Sequence, residues 1–335
     1  MTIDALILVA ALFVILGGSL LFTNALEHLG ERIGLSQGVV GSVFAAVGTA
    51  LPETAVPIVA VLTGRGEAGH EIGVGAILGA PLMLSTLAFF LLGAMALLRR
   101  GVRASVDPEP TGLRRDLRFF LLAFVLAVIA LYVPPGLHWT RAAIGFGLVA
   151  LYGVYLWRTL RASRSLVAAG HGTEADKPLA AARLGLPSGI VTTVLQLLVG
   201  LALIVAGARG FVVGITGLSE GFGLSPLFLA LAIVPFATEL PEKMNSLVWI
   251  ARRRDTLAVG NVTGALVFQS TLLPALGVLL TPWQPRFDVR LAMGITLIAG
   301  AWLLLLTRAK RIPALALVLN GAAYAVYFVI LLAHG

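Results

Sequence analysis

Residues 48–54 read Gly-Thr-Ala-Leu-Pro-Glu-Thr and residues 237–243 read Ala-Thr-Glu-Leu-Pro-Glu-Lys, two near copies of one string in a chain of 335 residues. Each copy sets an acid, Glu53 or Glu242, near the middle of a long apolar run. A charge there costs about 2.5–3.5 kcal/mol if the run crosses a bilayer. The surrounding composition says that it does. AVILMFWYC make up 59% of the chain and Asp, Glu, Lys and Arg only 12%, whereas a soluble domain carries about 25% charged residues. Apolar runs of roughly 20 residues recur from end to end, and in lipid only helices and closed barrels satisfy every backbone polar group. The runs lack the alternation of a barrel strand, so the fold class is an all-α integral membrane bundle.

Working outward from the two strings, the pattern predicts ten transmembrane helices, over residues 4–28, 38–63, 71–98, 116–133, 141–161, 187–217, 225–250, 257–280, 288–307 and 313–333. The N-terminal MTIDALILVAALFVILGG has neither a basic flank nor a small-residue cleavage site, which predicts a retained first span. The absence of cysteine excludes a disulfide framework, a thiolate metal centre and cysteine catalysis. A net charge of +8 could suggest nucleic acid, but basic residues in a membrane protein first report topology. Of the 24 Lys and Arg, 18 fall in one set of loops, 4 in the opposite set (Arg65, Arg141, Arg286, Arg290) and 2, Arg209 and Lys243, inside spans. That asymmetry places the basic loops in the cytoplasm and both termini outside, in a cell inner membrane. The partners expected are the bilayer and inorganic cations, with no nucleic acid and no obligate protein partner.

The longest polar stretch, SRSLVAAGHGTEADKP from Ser163 to Pro178, lies between the fifth and sixth spans. It separates a first repeat (1–162) from a second (187–335) by a short cytoplasmic linker (163–186). The halves superpose by counting. Gly34-Leu35-Ser36 and Gly223-Leu224-Ser225 each begin an interval of 17 residues from serine to glutamate. Gly75, Gly79, Ala80, Ser85 and Thr86 reappear, displaced by 185, as Gly260, Gly264, Ala265, Ser270 and Thr271. Five helices per half is an odd number, so the halves enter the membrane from opposite faces. The chain is two inverted five-helix repeats, a transporter layout whose site lies at the midplane where the repeats meet.

Proline explains how such a site forms. Pro52 and Pro241 cannot donate to the carbonyls four residues back, at Gly48 and Ala237. Those carbonyls sit beside the hydroxyls of Thr49 and Thr238, so each repeat brings a carboxylate, a hydroxyl and unpaired carbonyl oxygens to one depth. Irregular backbone is tolerated at membrane depth where it lines a cavity, and all-oxygen ligation suits hard cations such as calcium and sodium. Gly75/Gly79 and Gly260/Gly264 allow close helix approach. Ser85-Thr86 and Ser270-Thr271, with Gln269 beside the latter, either bond their own backbone or turn neutral oxygens toward the carboxylates. Lys243 follows Glu239 by four residues, the favourable order for a helical ion pair, although Pro241 stands between them. If that pair forms, Glu53 and Glu242 remain as the uncompensated charges. The candidate ligand set is thus Glu53, Glu242, Thr49, Thr238, Gly48, Ala237, Gln269, Ser270, Ser85 and Glu239, with Lys243 a candidate charge partner.

Other signals carry no chemistry. GLSQG (Gly34 to Gly38) and GLSEG (Gly217 to Gly221) spell a nucleophile elbow without the strand it requires. Asn261-Val262-Thr263 spells a glycosylation acceptor inside a span. His28, His70, His138, His171 and His334 lie at span ends or in loops, against a buried histidine metal centre. No enzyme and no cofactor are expected.

At its two Pro-Glu strings and two glycine-rich helices the chain resembles the cation/calcium exchanger superfamily, specifically the prokaryotic sodium/calcium exchangers. The resemblance implies ten helices, termini outside and inverted repeats that each carry Gly-Thr-Ser-Leu-Pro-Glu and then Gly-Asn-x-x-Gly-Ser. It implies that Thr49, Glu53, Thr238 and Glu242 bind the transported ions, and that the first and sixth helices (4–28 and 187–217) slide across the other eight. The sequence departs from the pattern. Ala50 and Glu239 stand where the family has serine, Ala76 replaces the first-repeat asparagine, and Ala80 and Ala265 replace the later serines. The site-completing Asn or Asp becomes Leu84 in one repeat and Gln269 in the other. Fewer ion subsites than in a three-sodium-for-one-calcium exchanger are expected.

The expected function is a secondary active antiporter that exports calcium in exchange for sodium or protons by alternating access. Two carboxylates in one cavity repel, and one then takes a proton readily, so sodium is not required. A fixed Lys243 ammonium offers a further route, by standing in for one co-ion. The alternative is a proton-coupled antiporter for another hard cation: manganese, magnesium or a monovalent ion. A cation channel is disfavoured because apolar spans with only a central polar cluster offer no continuous wet path.

Overall fold

The computed structural model describes residues 2–32, 45–64, 66–167, 178–309 and 311–334. Within the helices, the side chains of residues 45–52, 237, 240–242 and 245, among others, lie outside that description, as do the Gly34-Leu35-Ser36 string and residues 168–177 of the linker. The described residues form α1 (Thr2–Arg32), α2 (Ala45–Thr63), α3 (Gly66–Met83), α4 (Phe89–Arg100), α5 (Pro110–Leu131), α6 (His138–Val167), α7 (Ile190–Phe222), α8 (Pro226–Ala251), α9 (Asp255–Leu280), α10 (Phe287–Leu306) and α11 (Ala314–His334). A π turn, Leu84–Ala88, joins α3 to α4 in one rod. Strands β1 (Ser105–Val106) and β2 (Ile312–Pro313) pair antiparallel.

The described helices follow the apolar runs, and α3, the π turn and α4 share one of them. Two starts show why. Ser225 accepts from the Phe228 N–H at 3.1 Å and Pro226 takes the first position of α8, where its missing N–H does no harm. Glu109 does the same for α5, accepting from the Thr111 and Gly112 N–H groups with Pro110 at the first position. By length and composition, seven helical stretches among the described residues can cross a bilayer. In α2 and α8 the qualifying apolar stretches are shorter, Glu53–Thr63 and Pro226–Phe236. In α5 the charges of Arg114, Arg115, Asp116 and Arg118 break the first half. Phe13 and Leu20 of α1 are 71% and 73% exposed, as apolar side chains of a membrane-spanning helix can be.

The chain forms two compact units, and each draws helices from both sequence halves. The first comprises residues Met1–Gly64 and Gly153–Phe222, with α1, α2, the end of α6 and α7. Here α1 and α7 run antiparallel along a seam built on Gly200, Gly207 and Gly214. A Cβ at Gly200 would sit 2.7 Å from the Phe22 nitrogen, and one at Gly207 would sit 3.0 Å from the Ala11 carbonyl oxygen. Glycine every seventh residue therefore lets the two backbones touch. Phe22, Leu26 and Ile204 close the seam beside Ala55 of α2. Gln196 ties it further, donating to the Leu21 carbonyl and the Asn24 side chain.

The second unit comprises Arg65–Tyr152 and Gly223–Gly335. Within it α3 lies against α8 at Gly75 and Gly79, where a Cβ at Gly79 would lie 2.6 Å from the Leu231 carbonyl oxygen. Ala123, Leu148 and Ala275 pack α5, α6 and α9 together. At one end Arg100 donates to Asp255 Oδ2 and to the Ser105 carbonyl, both at 2.9 Å, which fastens α4 to α9 and the short β-ribbon.

Candidate ion-binding site

Glu53 of α2 is 3% exposed, an acid sealed in a helix segment otherwise made of Ala, Val, Pro, Ile, Leu and Thr. One turn earlier in the same helix stand Gly48 and Thr49, whose side-chain level lies outside the described residues. Because α2 runs unbroken through Pro52, the Gly48 carbonyl lacks its helical donor.

On α8 of the second unit the corresponding string is partly described. Thr238 is buried and donates its hydroxyl to the Val234 carbonyl at 3.1 Å. Glu239 is fully buried, and Lys243, 2% exposed, places Nζ 3.3 Å from its Oε2. The helix continues through Pro241, so residues 239 and 243 keep the one-turn offset that an ion pair needs. From α9, Gln269 donates its amide nitrogen to Glu239 Oε1. The Gln269 Oε1, also buried, has no hydrogen-bond partner among the described residues. The side chains of Ala237 and Glu242 lie outside the described residues.

The hydroxyl pairs are buried and turned to their own helices. Ser270 and Thr271 donate to the Val267 carbonyl at 3.0 and 2.7 Å, and Ser85 donates to the Leu82 carbonyl at 3.3 Å. A hydroxyl oxygen that donates keeps two lone pairs, so these bonds fix orientation without using up ligating capacity. Ser85 and Thr86 fall inside the π turn. In the turn the Ser85 carbonyl accepts from Asn320 Nδ2 of α11 at 2.7 Å. Gly75 and Gly79 serve packing against α8, whereas a Cβ at Gly260 would meet nothing within 4 Å.

Three participants escaped the sequence reading. Asn320 is one; its signal was a lone amide in an apolar run. Ser246 of α8 donates to Asn261 Oδ1 of α9 at 2.9 Å, on the helix pair that also carries Glu239 and Gln269. Asp116 accepts from the Thr263 hydroxyl at 2.8 Å, joining α5 to α9. Single polar residues in apolar helices mark Ser246 and Asn320, whereas Asp116 sits in a charged stretch, and in each case only the fold supplies the partner.

Comparison with known proteins gives a consistent picture. The family model described as "Sodium/calcium exchanger protein" matches residues 3–161 and 192–333. Among curated relatives, the putative antiporter CaxA of Alkalimonas amylolytica is 28% identical over 284 residues, covering 82% of each chain. The inner membrane protein YrbG of Escherichia coli (strain K12) is 27% identical over 281 residues, covering 84% of this chain and 80% of that protein. The crystal structure of the H+/Ca2+ exchanger CAX superposes with a TM-score of 0.72 at 18% identity, covering 98% of this chain and 82% of that one. The sodium-calcium exchanger NCX_Mj superposes with a TM-score of 0.58 at 22% identity, covering 98% and 99%.

Proposed function

The chain belongs to the sodium/calcium exchanger family, and from that premise we propose that it is a secondary antiporter that exports calcium against sodium or protons. The observation that carries the reading is Glu53: an acid 3% exposed, in the Pro-Glu string of a family-matched helix. In this reading Glu53 and Glu242 hold the divalent ion together. Thr49, Thr238, the Gly48 and Ala237 carbonyls and Gln269 Oε1 complete an oxygen shell, with Ser85 and Ser270 at its edge. Calcium takes six to eight oxygens at about 2.3–2.6 Å and tolerates mixed carboxylate, carbonyl and hydroxyl donors, which this set offers.

The same reading takes the layout as ten transmembrane helices in two inverted repeats, with both termini outside. Alternating access then belongs to α1 and α7, whose glycine seam supports their moving as one body. A proton can replace sodium as the counter-ion, since two acids around one cavity release or accept a proton as the divalent ion arrives or leaves.

The test is flux in proteoliposomes. Gradient-driven calcium uptake should fall in E53Q and in E242Q by at least the roughly 10–100-fold lost when even a group supporting a metal ligand is removed. Uptake that stays at the wild-type rate in both variants overturns the proposal.

A further inference from the structure

Lys243 is a cation that cannot leave. Its ammonium and the Glu239 carboxylate lie 3.3 Å apart, 2% and 0% exposed, and the Gln269 amide closes the group from the neighbouring helix. Counting between repeats maps Glu239 onto Ala50 and Lys243 onto Thr54, both displaced by 189 as Glu242 is from Glu53, and maps Gln269 onto Leu84. All three members of the cluster therefore belong to one repeat, and none has a polar charged counterpart in the other. An acid and a base stand one turn apart on the helix that carries Glu242, and neither counterpart position in the first repeat is charged.

We propose that Lys243 is a tethered co-ion: its ammonium fills, beside Glu239 and Gln269, a subsite that a mobile monovalent cation would otherwise occupy, so each transport cycle carries one monovalent ion fewer. The proposal rests on the exchanger reading above and specifies its coupling. A buried ammonium resembles a dehydrated alkali cation: one positive charge, here with three donors to direct at oxygen partners. The pair also removes Glu239 from the ligands of the transported ion, since its charge is already balanced. A Glu239 carboxylate that stays ionised at this depth gains from a nearby positive charge, and in the lysine variants a small cation from solution can supply it.

The experiment compares wild-type protein, K243M, K243Q and E239Q/K243M in detergent without calcium. Thermal melts are run at constant ionic strength and pH, with choline replaced stepwise by sodium, potassium or lithium. K243M and K243Q should each gain a melting-temperature rise of ~2 °C or more in at least one alkali cation beyond the wild-type response. The gain beyond the wild-type response should vanish in E239Q/K243M, in which the 239–243 pair carries no charge to balance. K243Q keeps an amide able to donate to Glu239 and carries the test if K243M does not accumulate. Lysine variants that melt identically in all four salts overturn the proposal, and so does a gain that persists in E239Q/K243M. Because no calcium is present, this outcome stands apart from the flux test: a chain that fails to move calcium can still show the gain, and one that moves it can lack the gain.

Discussion

Glu239 and Lys243 illustrate how a buried pair behaves as one object. Breaking a buried ion pair by removing one partner is destabilising by about 3–5 kcal/mol, whereas replacing both by neutral groups is often close to neutral. E239Q alone, which strips the ammonium of this carboxylate, should therefore lower the melting temperature sharply, and E239Q/K243M should recover most of the loss. A thermal melt of the three proteins checks this; equal destabilisation in the single and double variants would show that the side chains act independently. The pairing was legible in the sequence because offset and order sufficed, and Pro241 lies inside the turn without touching the 239–243 relation. Asn320 was not legible: its partner is a carbonyl in a π turn 235 residues away, and no residue preference announces that turn.

At the scale of the element, the helices were readable because apolar runs of bilayer length leave little choice. The role of their glycines was not. Gly79 and Gly260 both stand in glycine pairs spaced by four, yet only Gly79 meets a neighbouring backbone. Gly79→Ala should be destabilising by about 1–3 kcal/mol, the range for overpacking. Gly260→Ala should be neutral or slightly stabilising, since alanine is the better helix former; melts of the two variants give the comparison. The start of α5 offers a pH test outside the membrane-spanning helices. Partial burial pushes the Glu109 carboxyl up, but the N–H groups of Gly112 and Thr111 outweigh it and hold it below its ordinary value of 4.5. A lowered folded value means the cap stabilises above pH 4.5 and fades as pH falls through the folded value. Glu109→Ala should destabilise by about 1 kcal/mol at neutral pH, and the difference from wild type should shrink in melts taken progressively below pH 4.5.

For the whole molecule, the sequence divides into halves while the packing divides into two units that each take helices from both halves. The halves follow from counting residues, but the units depend on contacts such as Gly200 on Phe22, whose partners lie far apart in the chain. The natural absence of cysteine makes the topology directly testable. Arg308→Cys should react with an impermeant maleimide from the cytoplasmic side, and Gln284→Cys from the opposite side. Labelling of both positions from the same side would refute the ten-span inverted layout.

The central claim is that Glu53 and Glu242 hold one ion between them, and calcium calorimetry on wild type, E53Q, E242Q and E53Q/E242Q addresses it most directly. Two ligands of one ion are coupled, so either single substitution should remove nearly all of the binding that the double substitution removes. Losses that add independently, or calcium binding retained at wild-type affinity in either single variant, would contradict it.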